Sequence, residues 1–305
     1  MPELPTPQLS PRVARTALRP LFRVILSPRW PYTTQRRLLE LAAPLQRLPK
    51  DTVVRDVRLA GRPAERVTVG ATERSTAILY LHGGAYTAGS PATHRSLAAY
   101  LAAAAESVVY VLDYRLAPEH PYPAALDDAE AAYLELVSEH GFEVGGTAIA
   151  GDSAGGGLTA ATAHRLRTRH AITPPALGLL SPWTDPASRE LPDVNDVVIN
   201  KGWVYSSAEA YRGRADPADP GYAPMHADPT GLPPTLIQVG TEEMLYPQVR
   251  QYAGKLRAAG VDVTLVEQPE LWHVAPLQAS LVPEAAAAID DFGGFLRAHM
   301  GAHAD

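Results

Sequence analysis

The feature that most constrains this chain is the pentapeptide Gly-Asp-Ser-Ala-Gly at residues 151–155. Residues 147–150, which precede it, form a short apolar run typical of a buried strand, and residues 158–168 have the composition of a helix. A Gly-x-Ser-x-Gly turn between a strand and a helix is very tight and exposes the serine hydroxyl. The following helix directs the positive end of its dipole at that hydroxyl. The segment therefore predicts a turn that presents Ser153 as a nucleophile.

A second glycine motif lies upstream, where residues 76–81 resemble another buried strand and run directly into residues 82–86, His-Gly-Gly-Ala-Tyr. Enzymes that attack a carbonyl with serine need backbone N–H groups directed at the oxygen that becomes negative. One comes from the residue after the nucleophile and others from a glycine-rich loop. The predicted donors are Ala154, Gly83 and Gly84.

Three motifs follow one another in a characteristic order: His-Gly-Gly at 82–84, Asp-Tyr-Arg-Leu-Ala-Pro-Glu-His-Pro-Tyr-Pro-Ala-Ala at 113–125, and Gly-Asp-Ser-Ala-Gly-Gly at 151–156. Together they resemble the hormone-sensitive-lipase-like branch of the α/β-hydrolases, the bacterial family IV carboxylesterases. The resemblance implies a mostly parallel eight-stranded sheet with helices on both faces and a helical cap. It also implies that block 113–125 is structural. The family commonly has a third glycine where this chain has Ala85, and we expect Ala85 to be tolerated with a negative φ.

Apolar strand-like runs alternate with longer helical patterns along most of the chain, which predicts a mainly parallel sheet covered on both faces. The expected strands cover residues 53–59, 65–69, 77–81, 108–112, 148–150, 177–180, 235–239 and 263–266. The first two are expected to form an antiparallel pair. The expected helices cover residues 92–105, 124–139, 157–169, 247–259 and 283–300.

Two segments interrupt this alternation. Residues 183–227 contain Pro, Asp and Gly throughout, and a long insertion between two sheet strands is usually functional. Residues 1–50 carry several arginines among apolar residues and very few acids. We interpret both segments as parts of a cap, with residues 51–182 and 228–305 forming the α/β-hydrolase core. The arginine-rich segment could instead be a membrane-surface helix or a transit peptide.

The other catalytic residues are identified by their order, since in this fold the serine is followed by an acid and then by a histidine. Glu242 and Glu243 follow the expected strand 235–239, where the resembling family usually has an aspartate. Glu243 aligns better with that position, so we take it as the acid and keep Glu242 as the alternative. His273 follows the last expected strand and precedes the final helix, so it is the predicted base.

These residues predict an acyl-enzyme mechanism. His273, oriented by Glu243, would take the proton of Ser153 as the serine attacks an ester, and would then protonate the leaving alcohol. Because the imidazole must be neutral to accept a proton, we expect activity to fall below about pH 6.5. The candidates for lining the substrate pocket are Tyr86, Trp183, Trp203 and Tyr205.

Composition excludes several other classes. The net charge of −6 argues against a nucleic-acid binder with a broad basic face. The absence of cysteine excludes disulfides, thiolate catalysis and cysteine-ligated metals. The longest apolar stretch is shorter than the roughly 20 residues that a transmembrane segment needs. We expect no metal, no organic cofactor and a cytoplasmic location.

The resemblance implies that the chain hydrolyses short- to medium-chain carboxylic esters, with a small-molecule ester as its substrate. A lactone hydrolase, for example of monoterpene lactones, or an acyltransferase would use the same triad, and both remain open. A non-catalytic small-molecule receptor on this scaffold is disfavoured because His273 and the nucleophile turn are both present. The resemblance further implies that two copies can pair as a homodimer through the edge of the eighth strand.

Overall fold

The computed structural model describes residues 9–301, which form one eight-stranded sheet with helices on both faces. The strands are β1 (Thr52–Leu59), β2 (Arg62–Val69), β3 (Ala77–Leu81), β4 (Val108–Leu112), β5 (Thr147–Asp152), β6 (Leu177–Leu180), β7 (Thr235–Gly240) and β8 (Val263–Gln268). The helices are α1 (Pro11–Ile25), α2 (Tyr32–Ala42), α3 (Pro91–Ala105), α4 (Ala124–Ser138), α5 (Ala154–His170), α6 (Lys201–Arg212), α7 (Tyr246–Ala258) and α8 (Pro283–His299).

The sheet has the strand order β1-β2-β4-β3-β5-β6-β7-β8. Strand β2 is antiparallel to both β1 and β4, and every other neighbouring pair is parallel. The mostly parallel eight-stranded sheet and its opening antiparallel pair are therefore confirmed. All eight strands lie where the apolar runs predict them, with ends that differ by a few residues.

The central strands are buried on both faces, which is why they appear in the sequence as continuous apolar runs. In β3, Ile78 and Tyr80 join the core under α3 and α8, whereas Leu79 and Leu81 join the core under α4, α5 and α7. Successive side chains of a strand point to opposite faces, so this short segment packs against both helical layers.

Three helices are not part of the alternation of strands and helices. Helices α1 and α2 occupy most of residues 9–50, and α6 lies in the insertion between β6 and β7. The five helices expected between strands are confirmed within a few residues, while α6 has no counterpart among them. Within residues 9–301, none of the helices has both the length and the apolar character needed to span a bilayer.

The parallel strands end at one edge of the sheet, and that edge carries the candidate site. The loops after β3, β5, β7 and β8 hold the glycine motif, Ser153, Glu243 and His273 respectively. In open α/β sheets, ligands bind outside the carboxyl ends of the strands, beside the point where the strand order reverses.

Candidate active site

Ser153 lies in the tight turn between β5 and α5 and has the unusual backbone angles φ 52° and ψ −119°. The turn needs glycine on both sides. A Cβ atom on Gly151 would lie 2.5 Å from the carbonyl oxygen of Leu81, and one on Gly155 would lie 1.9 Å from it. Such a conformation costs on the order of 1–3 kcal/mol and persists because the surrounding packing enforces it. The prediction of a strand–turn–helix unit is borne out by this geometry.

Three side chains from different loops meet in one hydrogen-bonded series. Ser153 Oγ lies 2.8 Å from His273 Nε2, and His273 Nδ1 lies 2.6 Å from Glu243 Oε2. All three residues are buried. With the ring proton on Nδ1, the imidazole donates to the carboxylate and leaves Nε2 free to accept the serine proton. This arrangement matches the geometry of a serine-hydrolase triad.

The contact with Glu243 raises the pKa of His273. Burial lowers the pKa of His273, but the hydrogen bond and charge of Glu243 outweigh it, so the pKa is raised above its ordinary value. Burial also raises the pKa of Glu243, and the hydrogen bond to His273 partly offsets this. The buried carboxylate therefore stabilises the imidazolium that would form during proton transfer.

The alternative acid, Glu242, points elsewhere. Its side chain is about half exposed and pairs with Arg15 of α1. Glu243 has a second anchor, because its Oε1 accepts the backbone N–H of Gly240 at 3.2 Å. The structure thus brings Glu243, and not Glu242, to His273.

The glycine loop departs from the sequence-based expectation at Gly83. The backbone N–H of Gly83 donates to Asp152 Oδ1 at 2.9 Å, so it is not available to an oxyanion, and this predicted donor is corrected. Within residues 9–301, the N–H groups of Gly84, Ala85 and Ala154 donate to no protein acceptor. Ala154 directly follows Ser153, and Gly84 and Ala85 lie in the glycine loop, where among the described residues the N–H of Tyr86 also donates to no protein acceptor.

Ala85 also departs from expectation. Its φ is +52°, in the left-handed region, and Tyr86 follows it with φ +60°. The expected negative φ is therefore wrong: the methyl group is accommodated at a position that favours glycine. The loop is turned by two consecutive left-handed residues after Gly84, whose own φ is +116°.

Asp152 is a buried carboxylate for which the sequence suggested no role. Its Oδ1 accepts hydrogen bonds from Gly83 N–H and from Tyr80 Oη, both at 2.9 Å, and lies 3.3 Å from His94 Nε2. Burial raises the pKa of Asp152, but His94 and Tyr80 outweigh burial and lower it. Because Asp152 directly precedes the nucleophile, it joins the glycine loop to the serine turn.

The rest of the glycine loop is supported by block 113–125 and by α2. Tyr114 Oη donates to the His82 carbonyl at 2.6 Å and its ring stacks on His82, whose pKa burial lowers to about 3. His82 is thus a neutral packing residue. Arg36 of α2 donates to the carbonyls of Thr87 and Ala117, each at 2.8 Å.

A second carboxylate missed by the sequence analysis connects the insertion to the acid loop. Asp196 is fully buried, and its Oδ2 accepts the N–H of Met244 at 3.0 Å. Its Oδ1 accepts the N–H groups of Val198 and Ile199, two residues beside the cavity described next. Nothing in the sequence pattern of the insertion marks this residue.

A cavity of about 210 Å³ opens at Ser153 and His273 and extends beneath α1 and α2. Glycine-loop residues Gly83 and Gly84 line its reactive end. Its walls are mostly apolar and include Leu18, Leu21, Phe22, Ile25, Leu39, Leu45 and Ile199. Such a cavity suits an acyl chain better than a charged group.

Of the four aromatic candidates for the pocket, Trp203 of α6 lines this cavity. The other three do not, and the prediction is corrected for them. Tyr86 stacks on Tyr211 with ring centroids 3.6 Å apart, and Trp183 packs beside it. Tyr205 donates from its hydroxyl to the Arg189 carbonyl. Tyr86 and Trp183 are buried in the core instead, and Tyr205 is half-buried on α6.

Comparisons with known proteins agree with this fold. Residues 78–277 match a family model described as the alpha/beta hydrolase fold. LipR of Mycobacterium tuberculosis is 38% identical over 295 residues, which cover 96% of each chain. An acetyl-hydrolase of Streptomyces hygroscopicus is 40% identical over 252 residues, covering 78% of this chain and 84% of that relative.

A solved structure extends the likeness to three dimensions. The crystal structure of an esterase from the bacterial hormone-sensitive lipase family is 36% identical and has a TM-score of 0.89. The match covers 96% of this chain and 100% of that esterase. The chain therefore belongs to the α/β-hydrolase family, in its hormone-sensitive-lipase-like branch, and is a serine ester hydrolase.

Proposed function

We propose that this protein hydrolyses short- to medium-chain carboxylic esters through an acyl-enzyme formed on Ser153. The observation that carries the proposal is the series of short contacts from Ser153 Oγ to His273 and from His273 to Glu243. His273 Nε2 takes the serine proton as Oγ attacks the ester carbonyl, and the resulting imidazolium protonates the leaving alcohol. Water, activated by the same histidine, then hydrolyses the acyl-enzyme.

The oxyanion of the tetrahedral intermediate is stabilised by the N–H groups of Gly84, Ala85 and Ala154. This assignment is supported by the occupied amide of Gly83 and by the three free amides around Ser153. Losing one such donor in a comparable site costs roughly 2.7–4 kcal/mol of transition-state stabilisation. Ala154 is also the first residue of α5, so the helix dipole favours the same negative charge.

The acyl chain occupies the apolar cavity beneath the N-terminal helices. Each methylene buried there contributes about 0.8 kcal/mol, or roughly a fourfold gain in kcat/KM, until the cavity is filled. The lining by α1, α2 and Trp203 supports the division into a core and a two-part cap, with residues 1–50 and 183–227 forming the cap.

A series of p-nitrophenyl esters of increasing acyl length tests the proposal. We expect activity to rise over the first few methylenes and then to decline, and Ser153→Ala to lower kcat by several orders of magnitude. Product analysis in water–alcohol mixtures and with a small lactone panel separates hydrolysis of esters from acyl transfer and from lactone opening. Retention of most esterase activity in Ser153→Ala would overturn the proposal.

A further inference from the structure

Exposed apolar side chains are concentrated in one part of the molecule. Of the eight large hydrophobic residues that are exposed among residues 9–301, seven lie between residues 13 and 48. They are Val13, Leu21, Val24, Trp30, Leu41, Leu45 and Leu48, and we call this set the apolar cap face. Leu41 and Leu45 are about three-quarters exposed. Clusters of this kind mark interaction sites, whereas single exposed hydrophobic residues do not.

Helix α1 places its apolar residues outward as well as inward. Ala14 and Ile25 are buried against the protein, yet five of the seven exposed residues of α1 are apolar. The five are Val13, Ala17, Pro20, Leu21 and Val24. The helix of a freely dissolved protein normally exposes polar residues on that side. The outward face of α1 is therefore built to meet something other than water.

The same segment is strongly basic although the whole chain carries a net charge of −6. Residues 9–50 contain eight arginines and one lysine against a single acid, Glu40. Within the part of the chain that the structure describes, five of these arginines lie within 4 Å of no carboxylate: Arg19, Arg23, Arg29, Arg37 and Arg47. Apolar and basic side chains together are the pattern of helices that lie in the interface of an anionic bilayer.

The cavity at Ser153 extends to this face. Leu21 and Leu45 are exposed and also line the cavity whose other end is Ser153. An ester that dissolves in a membrane could thus pass from the lipid to the nucleophile along apolar side chains.

We propose that the apolar cap face docks on the surface of an anionic lipid bilayer. Basic residues near such a surface are attracted by its negative potential, and Trp30 is of the type that prefers the headgroup region. A second copy of this chain fits less well, since symmetric pairing would place the same arginine-rich patches opposite each other. Docking does not require the proposed chemistry, so its test is independent of activity.

The test uses the full chain, both wild type and Ser153→Ala, with vesicles of phosphatidylcholine alone or with about one third phosphatidylglycerol. Binding is measured by flotation and by fluorescence. Trp30 is about half exposed while Trp183, Trp203 and Trp272 are buried, so a blue shift or quenching by brominated lipid reports on Trp30. We expect both proteins to bind the anionic vesicles and to be released by roughly 1 M salt.

Matched variants separate the contribution of charge to vesicle binding from the contribution of apolar contact. Arg29→Gln with Arg37→Gln should lower partitioning into anionic vesicles about 30-fold, because each of the two basic residues contributes a similar share of the binding free energy. Val24→Ser with Leu41→Ser should lower it roughly tenfold. The control, Arg55→Gln with Arg257→Gln, removes two exposed charges from β1 and α7 and should leave binding unchanged. None of these residues lines the cavity, so hydrolysis of a soluble short ester should persist in all three variants.

Three outcomes would overturn the proposal. The first is an absence of binding to anionic vesicles at low salt, and the second is equal binding to neutral vesicles. The third is a concentration-dependent dimer in sedimentation velocity that Val24→Ser with Leu41→Ser abolishes, because the face would then be covered by a second copy. If Ser153→Ala binds vesicles like the wild type while neither hydrolyses esters, docking stands and the proposed function fails.

Discussion

The catalytic edge of the sheet and the N-terminal helices above it differ in how deeply their side chains are buried. Ser153 and Glu243 follow buried strands and His273 follows the edge strand β8, and all three side chains are buried and joined by direct contacts. Helices α1 and α2 bury few side chains against the core, such as Ala14 and Ile25, add polar links from Arg15 and Arg36, and expose apolar side chains. The comparison suggests that the sheet determines the chemistry and that the helices determine what substrate reaches it.

The largest expected effect contrasts two neighbouring glutamates, of which Glu243 contacts His273 and Glu242 contacts Arg15 of α1. Glu243→Gln removes the charge that orients His273 and stabilises its protonated form, so kcat should fall about 10³- to 10⁴-fold. Glu242→Gln breaks only a surface contact with Arg15 and should change kcat less than about twofold. Steady-state kinetics with p-nitrophenyl butyrate measure both. Equal losses in the two variants would contradict the assignment of the acid.

A smaller effect is expected at Asp152, which joins the glycine loop to the serine turn. In Asp152→Ala the N–H of Gly83 loses its acceptor, and the loop should shift, so kcat should fall about 10- to 100-fold with little change in KM. Asp152→Asn keeps an oxygen acceptor and should restore most of the activity. A KM effect without a kcat effect, or no difference between the two variants, would contradict this positioning role.

The pH dependence should reflect the raised pKa of His273. The base works only when neutral, so kcat/KM is lost as the pH falls through the pKa of the folded enzyme. Since Glu243 holds that pKa above the ordinary value, the midpoint should lie above about pH 6.5, with roughly a tenfold loss per pH unit below it. Glu243→Gln should move the midpoint down. For the wild type, a midpoint of the kcat/KM profile at or below pH 6.5 would contradict the coupling of His273 to Glu243.

The smallest expected effect is at Ala85. Its φ of +52° is strained for alanine, so Ala85→Gly should raise the free energy of unfolding by up to about 1 kcal/mol. The greater flexibility of glycine in the unfolded chain reduces this gain. Activity should stay within about twofold because the N–H group is retained. Chemical denaturation checks the stability, and a clear destabilisation would show that the methyl group makes favourable contacts.

The sheet and the triad were predictable because their signals are local. A strand buried on both faces gives a continuous apolar run, and the Gly-x-Ser-x-Gly turn is recognisable within five residues, although the backbone that excludes a Cβ atom there belongs to Leu81 of the neighbouring strand β3. Glu243 and His273 then follow from the order of the strands. Of the two adjacent glutamates, the structure brings Glu243 to His273 and Glu242 to Arg15, and the role of Glu243 as the acid stays a prediction.

The remaining features depend on contacts between distant segments. The amide of Gly83 is occupied by a side chain sixty-nine residues away, and the φ of Ala85 is set by packing that no pattern in residues 82–86 reveals. Asp196 lies in a part of the insertion without regular secondary structure, and α6 was not predicted although Trp203, Ser207 and Tyr211 recur at helical spacing. Core–cap boundaries, homodimerisation through β8 and a cytoplasmic location stay predictions.

Trapping the nucleophile tests the central claim most directly. The enzyme is treated with an ester-like organophosphate that leaves a stable phosphoryl group on an activated serine, and intact and peptide masses are recorded. We expect a single adduct per chain, on the peptide containing Ser153, formed far more slowly in Glu243→Gln than in Glu242→Gln. Loss of activity with Ser153 unmodified, or an adduct on another residue, would contradict the account.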